Sequence, residues 1–223
     1  MKYLGIIFDM DGTIIDTEHI WKEAIAQVIG RRGACLTAEQ QQELHNKSIG
    51  MALPSSCALL KEAIGCDDSI QDLINEKCNI ALSIYAQGVR FIKGFIEFHA
   101  QTQHLNLKTG LATNADDATL AITCQILKLE RFFGKHMYNI SHVENPKPHP
   151  DIYLLAAQRL GLSPDQCVAI EDSAHGIAAA QAAGIFCIGI NNGSNPGQTA
   201  KADLIIDGYH EIDLKALLEI GVK

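Results

Sequence analysis

Five short runs of apolar residues without polar alternation constrain this chain more than any other feature. They are residues 3–8 (YLGIIF), 108–113 (KTGLAT), 167–171 (CVAIE), 185–190 (IFCIGI) and, more weakly, 203–206 (DLII). A strand that is apolar on both faces belongs inside a parallel sheet covered by helices. Helix signals fall between the runs. Asn114 or Asp116 stands as an N-cap for a helix over 117–128. Pro150 and Asp151 open DIYLLAAQRL, which Gly161 ends, and a helix over 174–183 stops at Gly184. This alternation predicts a doubly wound α/β domain.

Residues 17–87 follow a different rule. Trp21, Ala24, Ile25 and Val28, then Leu44, then Ala58, Leu59 and Ile64, then Ile70, Leu73, Ile74, Cys78, Leu82 and Tyr85 recur at helical spacing. Gly33, Gly50, Pro54 and Gly65 punctuate them. The expected organisation is an α/β core over 1–15 and 92–223, with an all-helical cap domain inserted over 16–91.

Composition narrows the function classes. A hydrophobic fraction of 47% and a charged fraction of 20% suit a globular chain. A formal net charge of -8 argues against a nucleic-acid or anionic-membrane surface. The seven cysteines are an odd number with no CxxC pair, which argues for reduced thiols and a cytoplasmic location. The apolar run at 3–8 ends in acidic residues, unlike a signal peptide, and no stretch reaches bilayer-spanning length. A monomer is the default expectation.

The chemistry starts where the first run ends, at Asp9-Met10-Asp11-Gly12-Thr13. Two carboxylates at i and i+2 repel each other unless a cation intervenes, and oxygen ligands of this kind suit magnesium. One carboxylate can attack phosphorus while its neighbour moves protons. Gly12 allows a sharp turn that brings backbone amides near a phosphoryl group. The pair taken alone is equally well read as a strand-ending acidic turn.

The DxDGT segment resembles the first motif of the haloacid dehalogenase superfamily, and three further motifs follow in order. Thr113-Asn114 ends the second run. Lys147 lies among Pro146, Pro148 and Pro150. Glu171-Asp172 ends the run at 167–171. With DTE at 16–18, the chain is similar to the β-phosphoglucomutase-like and sugar phosphatase subgroup. The resemblance implies a Rossmann-like core and a magnesium-dependent phosphatase acting on a small phosphorylated metabolite. A sugar, deoxysugar or polyol phosphate and phosphoglycolate all fit. By the same resemblance, Asp9 is the nucleophile and Asp11 the acid/base. Thr113, Asn114 and Lys147 bind phosphate. Asp9, Asp11 (through its carbonyl), Glu171 and Asp172 hold Mg2+.

A phosphomutase is the chief alternative, and a non-catalytic phospho-ligand-binding protein a remote one. Mutases of the family carry histidine twelve residues past the nucleophile, where this chain has Trp21. They also carry a basic residue three positions past the cap-loop glycine, where Leu53 stands if Gly50 is that glycine. Candidates for substrate specificity are Glu18, His19, Lys47, Ser48 and Gly50. Trp21 itself reads as a packing residue and Lys47 as a solvated charge.

Overall fold

The computed structural model describes residues 3–193 and 197–219. Positions 1–2, 194–196 and 220–223 of the expected core lie outside the described residues. Five strands form on the apolar runs: β1 (Gly5–Phe8), β2 (Lys108–Ala112), β4 (Cys167–Glu171), β5 (Phe186–Ile190) and β6 (Leu204–Ile206). A sixth, β3 (Met137–Tyr138), is only two residues long, too short for its apolar pattern to stand out. The six make one sheet in the order β3-β2-β1-β4-β5-β6, with every neighbouring pair parallel.

β1 is central, and the order of strands reverses beside it. Open α/β sheets leave a crevice at such a point, beyond the carboxyl ends of the strands. Phe8 is level with Leu111 on one side and with Ile170 on the other. The residues that follow, Asp9, Ala112 and Glu171, therefore emerge side by side.

The two faces of β1 separate by alternation. Ile6 and Phe8 face a cluster that includes Phe95 and Phe98 of α5 (Phe95–His104) and Phe133 of α7 (Glu130–Phe133). Phe8 meets Phe95 edge-on at 5.6 Å between ring centroids. Ile7 faces Ile152 and Ala156 of α8 (Asp151–Leu160) and Ile177 and Ala180 of α9 (Ala174–Ala182). Between β2 and β3, Asp116 caps α6 (Asp117–Leu127) by accepting from the Thr119 amide at 2.8 Å. Gly161 closes α8 at φ 66°. The last helix is α10 (Leu214–Glu219).

Between β1 and α5 the chain forms four helices and no strand: α1 (Glu18–Arg31), α2 (Ala38–Ser48), α3 (Leu53–Ile64) and α4 (Ile70–Tyr85). The segments entering and leaving them run together. Ile15 bridges Phe91, the Asp16 amide donates to Arg90, and the Ile92 amide donates to Ile14. The α4 face differs from the apolar pattern. Its buried residues are Leu73, Lys77, Ile80, Ala81 and Tyr85, whereas Ile70 is 39% exposed. The helix is turned so that a lysine points inward, which an apolar stripe does not anticipate. All seven cysteines are unpaired. Among the described residues, no helix is long and apolar enough to cross a membrane.

Candidate active site

Asp9 is the residue after β1, Thr113 and Asn114 follow β2, and Glu171 and Asp172 end β4. Lys147 comes from the loop before α8 and is 4% exposed. Its ammonium donates to Asp9 Oδ1 at 2.6 Å, to Glu171 Oε1 at 2.5 Å and to the Ala112 carbonyl at 2.8 Å. Three donor protons thus meet three acceptors, the most an ammonium can serve. Burial works against the charged ammonium, but Asp9 and Glu171 outweigh it and hold its pKa above the ordinary lysine value.

Glu171 is fully buried and bonded at both oxygens. Oε1 also accepts from the Tyr153 hydroxyl at 2.6 Å, and Oε2 from Ser173 at 3.2 Å. Its oxygens thus accept from Lys147, Tyr153 and Ser173. Gly176 packs so closely that a Cβ there would lie 1.9 Å from Glu171 Oε1, so the glycine makes room for the carboxylate.

Ligand oxygens of Asp9, Glu171 and Asp172 lie within 4.8 Å of one another. One ammonium does not neutralise three buried carboxylates. The result is visible in Asp9, whose pKa burial and then Glu171 push up from 3.8 to about 8 against the pull of Lys147. Asp172 is raised by burial first, then by Asp9 and Glu171. A site with excess negative charge and hard oxygen donors fits a magnesium ion. Gly12, at φ 77°, passes close to Asp172: a Cβ there would sit 2.0 Å from Oδ2. Asn192 ties this turn to the acidic pair by donating to the Gly12 carbonyl at 2.9 Å and to Asp172 Oδ2 at 3.0 Å.

Asp11 points elsewhere. Its Oδ1 accepts from the Thr17 hydroxyl at 2.7 Å, the Tyr85 hydroxyl at 2.9 Å and the Trp21 indole at 3.3 Å. Its carboxylate is therefore separate from the clustered acidic oxygens and faces the helices. Burial raises its pKa, while the three donors oppose the rise.

Thr113 is buried, and its hydroxyl oxygen accepts from the Ala115 amide at 3.0 Å. Asn114 accepts from the Lys147 amide at 3.0 Å, and its side-chain nitrogen donates to the Lys147 carbonyl at 3.2 Å and to the Gly50 carbonyl at 2.9 Å. The carboxamide thus holds Lys147 in place and anchors the α2–α3 loop instead of reaching into open space.

A cavity of about 80 Å³ lies between the sheet end and the helices, lined by Asp9, Asp11, Thr113 and Asn114 on one side and by Glu18, Trp21, His45 and Lys77 on the other. Ser48 and Gly50 also reach it. His19 and Lys47 do not. His19 is exposed and lies 3.6 Å from Asp16, and Lys47 is exposed and paired with Glu43 at 2.7 Å. Both are exposed on their helices, apart from the residues that line this cavity.

A model of the haloacid dehalogenase-like hydrolases matches residues 6–190. The chain belongs to the haloacid dehalogenase-like hydrolase family. Two relatives carry phosphatase names. The phosphorylated carbohydrates phosphatase of Thermotoga maritima is 30% identical, over 87% of this chain and 88% of its own. The fructose-1-phosphate phosphatase of Escherichia coli is 31% identical, over 85% and 97%. The β-phosphoglucomutase of Clostridium difficile superposes with a TM-score of 0.82 over 97% of this chain and 96% of its own; at 23% identity it establishes the shared fold alone.

In this hydrolase, the sequence reading missed several residues that serve the site. Tyr85 and Trp21 were assigned to helical packing. Trp21 does pack against the core, yet its one polar atom is turned to Asp11. His45 and Tyr153 gave no local signal. Lys77 gave one, a charge four residues after Leu73 and four before Ala81 on an otherwise apolar face.

Proposed function

We propose that the chain is a magnesium-dependent phosphatase of small phosphorylated metabolites of the sugar, deoxysugar or polyol type, working through an aspartyl-phosphate on Asp9. The observation that carries this reading is the division of labour between the two aspartates. Asp9 is paired with Lys147 in the acidic cluster, and Asp11 is held apart by donors from the helices. The helices α1–α4 act as a cap that covers the site.

Asp9 attacks phosphorus as the bond to the leaving oxygen breaks, and Asp11 gives its proton to that oxygen. Water then attacks the phosphorus of the aspartyl-phosphate. Asp11, now a carboxylate, takes a proton from that water, and Asp9 departs as a carboxylate. The upward shift of the Asp11 pKa, caused by burial, favours the protonated form that the first half of this cycle needs. Lys147 acts on the phosphoryl group through its charge and its hold on Asp9, Thr113 would donate its hydroxyl to a phosphoryl oxygen, and Asn114 fixes the Lys147 backbone. Asp9, Asp172 and the Asp11 carbonyl, with Glu171 close by, would hold magnesium, which would supply positive charge where the transition state develops negative charge. The cap walls exclude bulk water around these charges.

Phosphate release from a panel of sugar, deoxysugar and polyol phosphates, with and without magnesium, tests the reading. The expected result is magnesium-dependent release without a bisphosphate primer. Isomerisation of a sugar phosphate with little release, dependent on such a primer, would assign a mutase instead.

A further inference from the structure

The cap wall of the cavity carries polar groups that neither the nucleophile nor the acidic cluster uses. Glu18 and His45 are 7% and 4% exposed. His45 Nε2 stands 3.0 Å from Glu18 Oε2, yet among the described residues that oxygen and His45 Nδ1 both lack a hydrogen-bond partner. The pair has the distance of an ion pair without the alignment of a hydrogen bond. Lys77, 3% exposed, donates to the Ser56 hydroxyl at 2.8 Å and lies 5.5 Å from the centre of the Trp21 ring. No carboxylate pairs with it among the described residues, and burial pushes its pKa down. Glu18, His45, Lys77, Ser56 and Trp21 line the same cavity as Asp9 and Asp11. Buried polar atoms without partners are rare and call for an explanation.

We propose that Glu18 and His45, with Lys77 and Ser56, form a subsite for uncharged hydroxyl groups on the alcohol part of the substrate, and that the Glu18 carboxylate turns away a second phosphate or a carboxylate. The inference rests on the phosphatase reading above and narrows its substrate class. A hydroxyl both donates and accepts. Adjacent hydroxyls complete this wall by donating to Glu18 and accepting from Lys77, while His45 Nδ1 takes either role. A second phosphate has no proton to give Glu18. It would meet one ammonium and one like charge in a buried setting, where repulsion is strong. The wall therefore selects polyhydroxylated monophosphates over bisphosphates and over phosphoglycolate.

The test compares sorbitol 6-phosphate, fructose 1,6-bisphosphate, phosphoglycolate and phenyl phosphate in the magnesium-loaded enzyme. Phenyl phosphate presents no alcohol hydroxyls, so its turnover reports on the phosphatase reading alone. The enzyme should prefer the polyol monophosphate to the other three. In Glu18→Gln and His45→Gln, the ratio of kcat/KM for sorbitol 6-phosphate to that for phenyl phosphate should fall by about tenfold or more, mainly through KM. In Glu18→Gln the relative rate for the bisphosphate should rise. Ratios that stay within about twofold of the parent, or a parent enzyme that prefers the bisphosphate, overturn the subsite. Titration calorimetry of Asp9→Asn with the same ligands reads the preference without turnover. A preference for the polyol ligand there supports the subsite even if phosphate release fails, and equal affinities overturn it.

Discussion

At the carboxyl end of the sheet, charges are held by one another: Lys147 meets Asp9 and Glu171, and Glu171 is bonded at both oxygens. Across the same cavity, on α1, α2 and α4, polar groups are equally buried but only partly satisfied. The first wall is a set of paired charges, as the proposed phosphoryl chemistry requires. The second leaves polar atoms without partners among the described residues, as the proposed subsite requires. Asp11 joins the two, because it leaves the sheet with Asp9 yet takes all three of its side-chain donors from the side of the helices. The placement of the helices over the sheet therefore fixes the hydrogen bonds of the residue proposed as acid/base.

The variants that break this contrast begin with Asp11→Asn. Removing the group that serves both walls should lower kcat by roughly 10²–10⁴-fold, with Asp9 still able to accept a phosphoryl group. A steady-state assay checks it, and a loss under about tenfold would disconnect Asp11 from the proton transfers.

Removing magnesium should affect the sheet wall and leave the helical wall alone. Folding raises the pKa of Asp9 from 3.8 to about 8 and raises that of Asp172 as well. Between these limits the native chain binds more protons than the unfolded chain, so its stability falls as pH rises. Thermal melts of metal-free protein should show Tm dropping between pH 5 and pH 8 by at least about 2–4 °C. Magnesium should restore more of it at pH 8 than at pH 5. A metal-free Tm that rises over this interval would contradict the charge balance.

A milder change sharpens the link between the walls. Tyr85→Phe removes one donor to Asp11 and keeps the ring that packs in the core. The carboxylate form loses support, so the pKa of Asp11 should rise further. The pH–kcat limb that requires the carboxylate should move to higher pH, with kcat at neutral pH down by about tenfold. An unmoved limb would mean that the hydroxyl does not tune Asp11. At the bottom of the scale, Lys47→Ala should change kcat/KM by less than about twofold and stability by less than about 0.5 kcal/mol, because its ion pair is exposed.

The difference between the walls also explains what was legible in the sequence. The sheet wall was readable because Asp9, Thr113 and Glu171-Asp172 stand at the ends of buried strands, which a parallel register gathers, and because Lys147 stands out among three prolines. Asp9, Ala112 and Glu171 are level through that register alone. The two-residue β3 escaped because alternation over two positions carries no pattern. The helical wall was readable only in part: Glu18 stands out at the entrance to the helices and Ser48 and Gly50 by the α2–α3 loop, whereas His45 and Lys77 come from α2 and α4, which only packing brings beside Glu18. Trp21 was read as apolar and is, over most of its surface, but the decisive atom is its single N–H. Lys77 is buried by the way α4 is turned, which the apolar stripe of that helix does not encode.

Asp9 carries the central claim, and the most direct measurement is phosphate release by Asp9→Asn in saturating magnesium, against the parent enzyme on its best substrate. The substitution keeps the size of the side chain and removes the nucleophilic carboxylate. Turnover below about one per cent of the parent is the predicted result. Magnesium-dependent hydrolysis retained above a few per cent would show that another group attacks phosphorus, and would contradict the account.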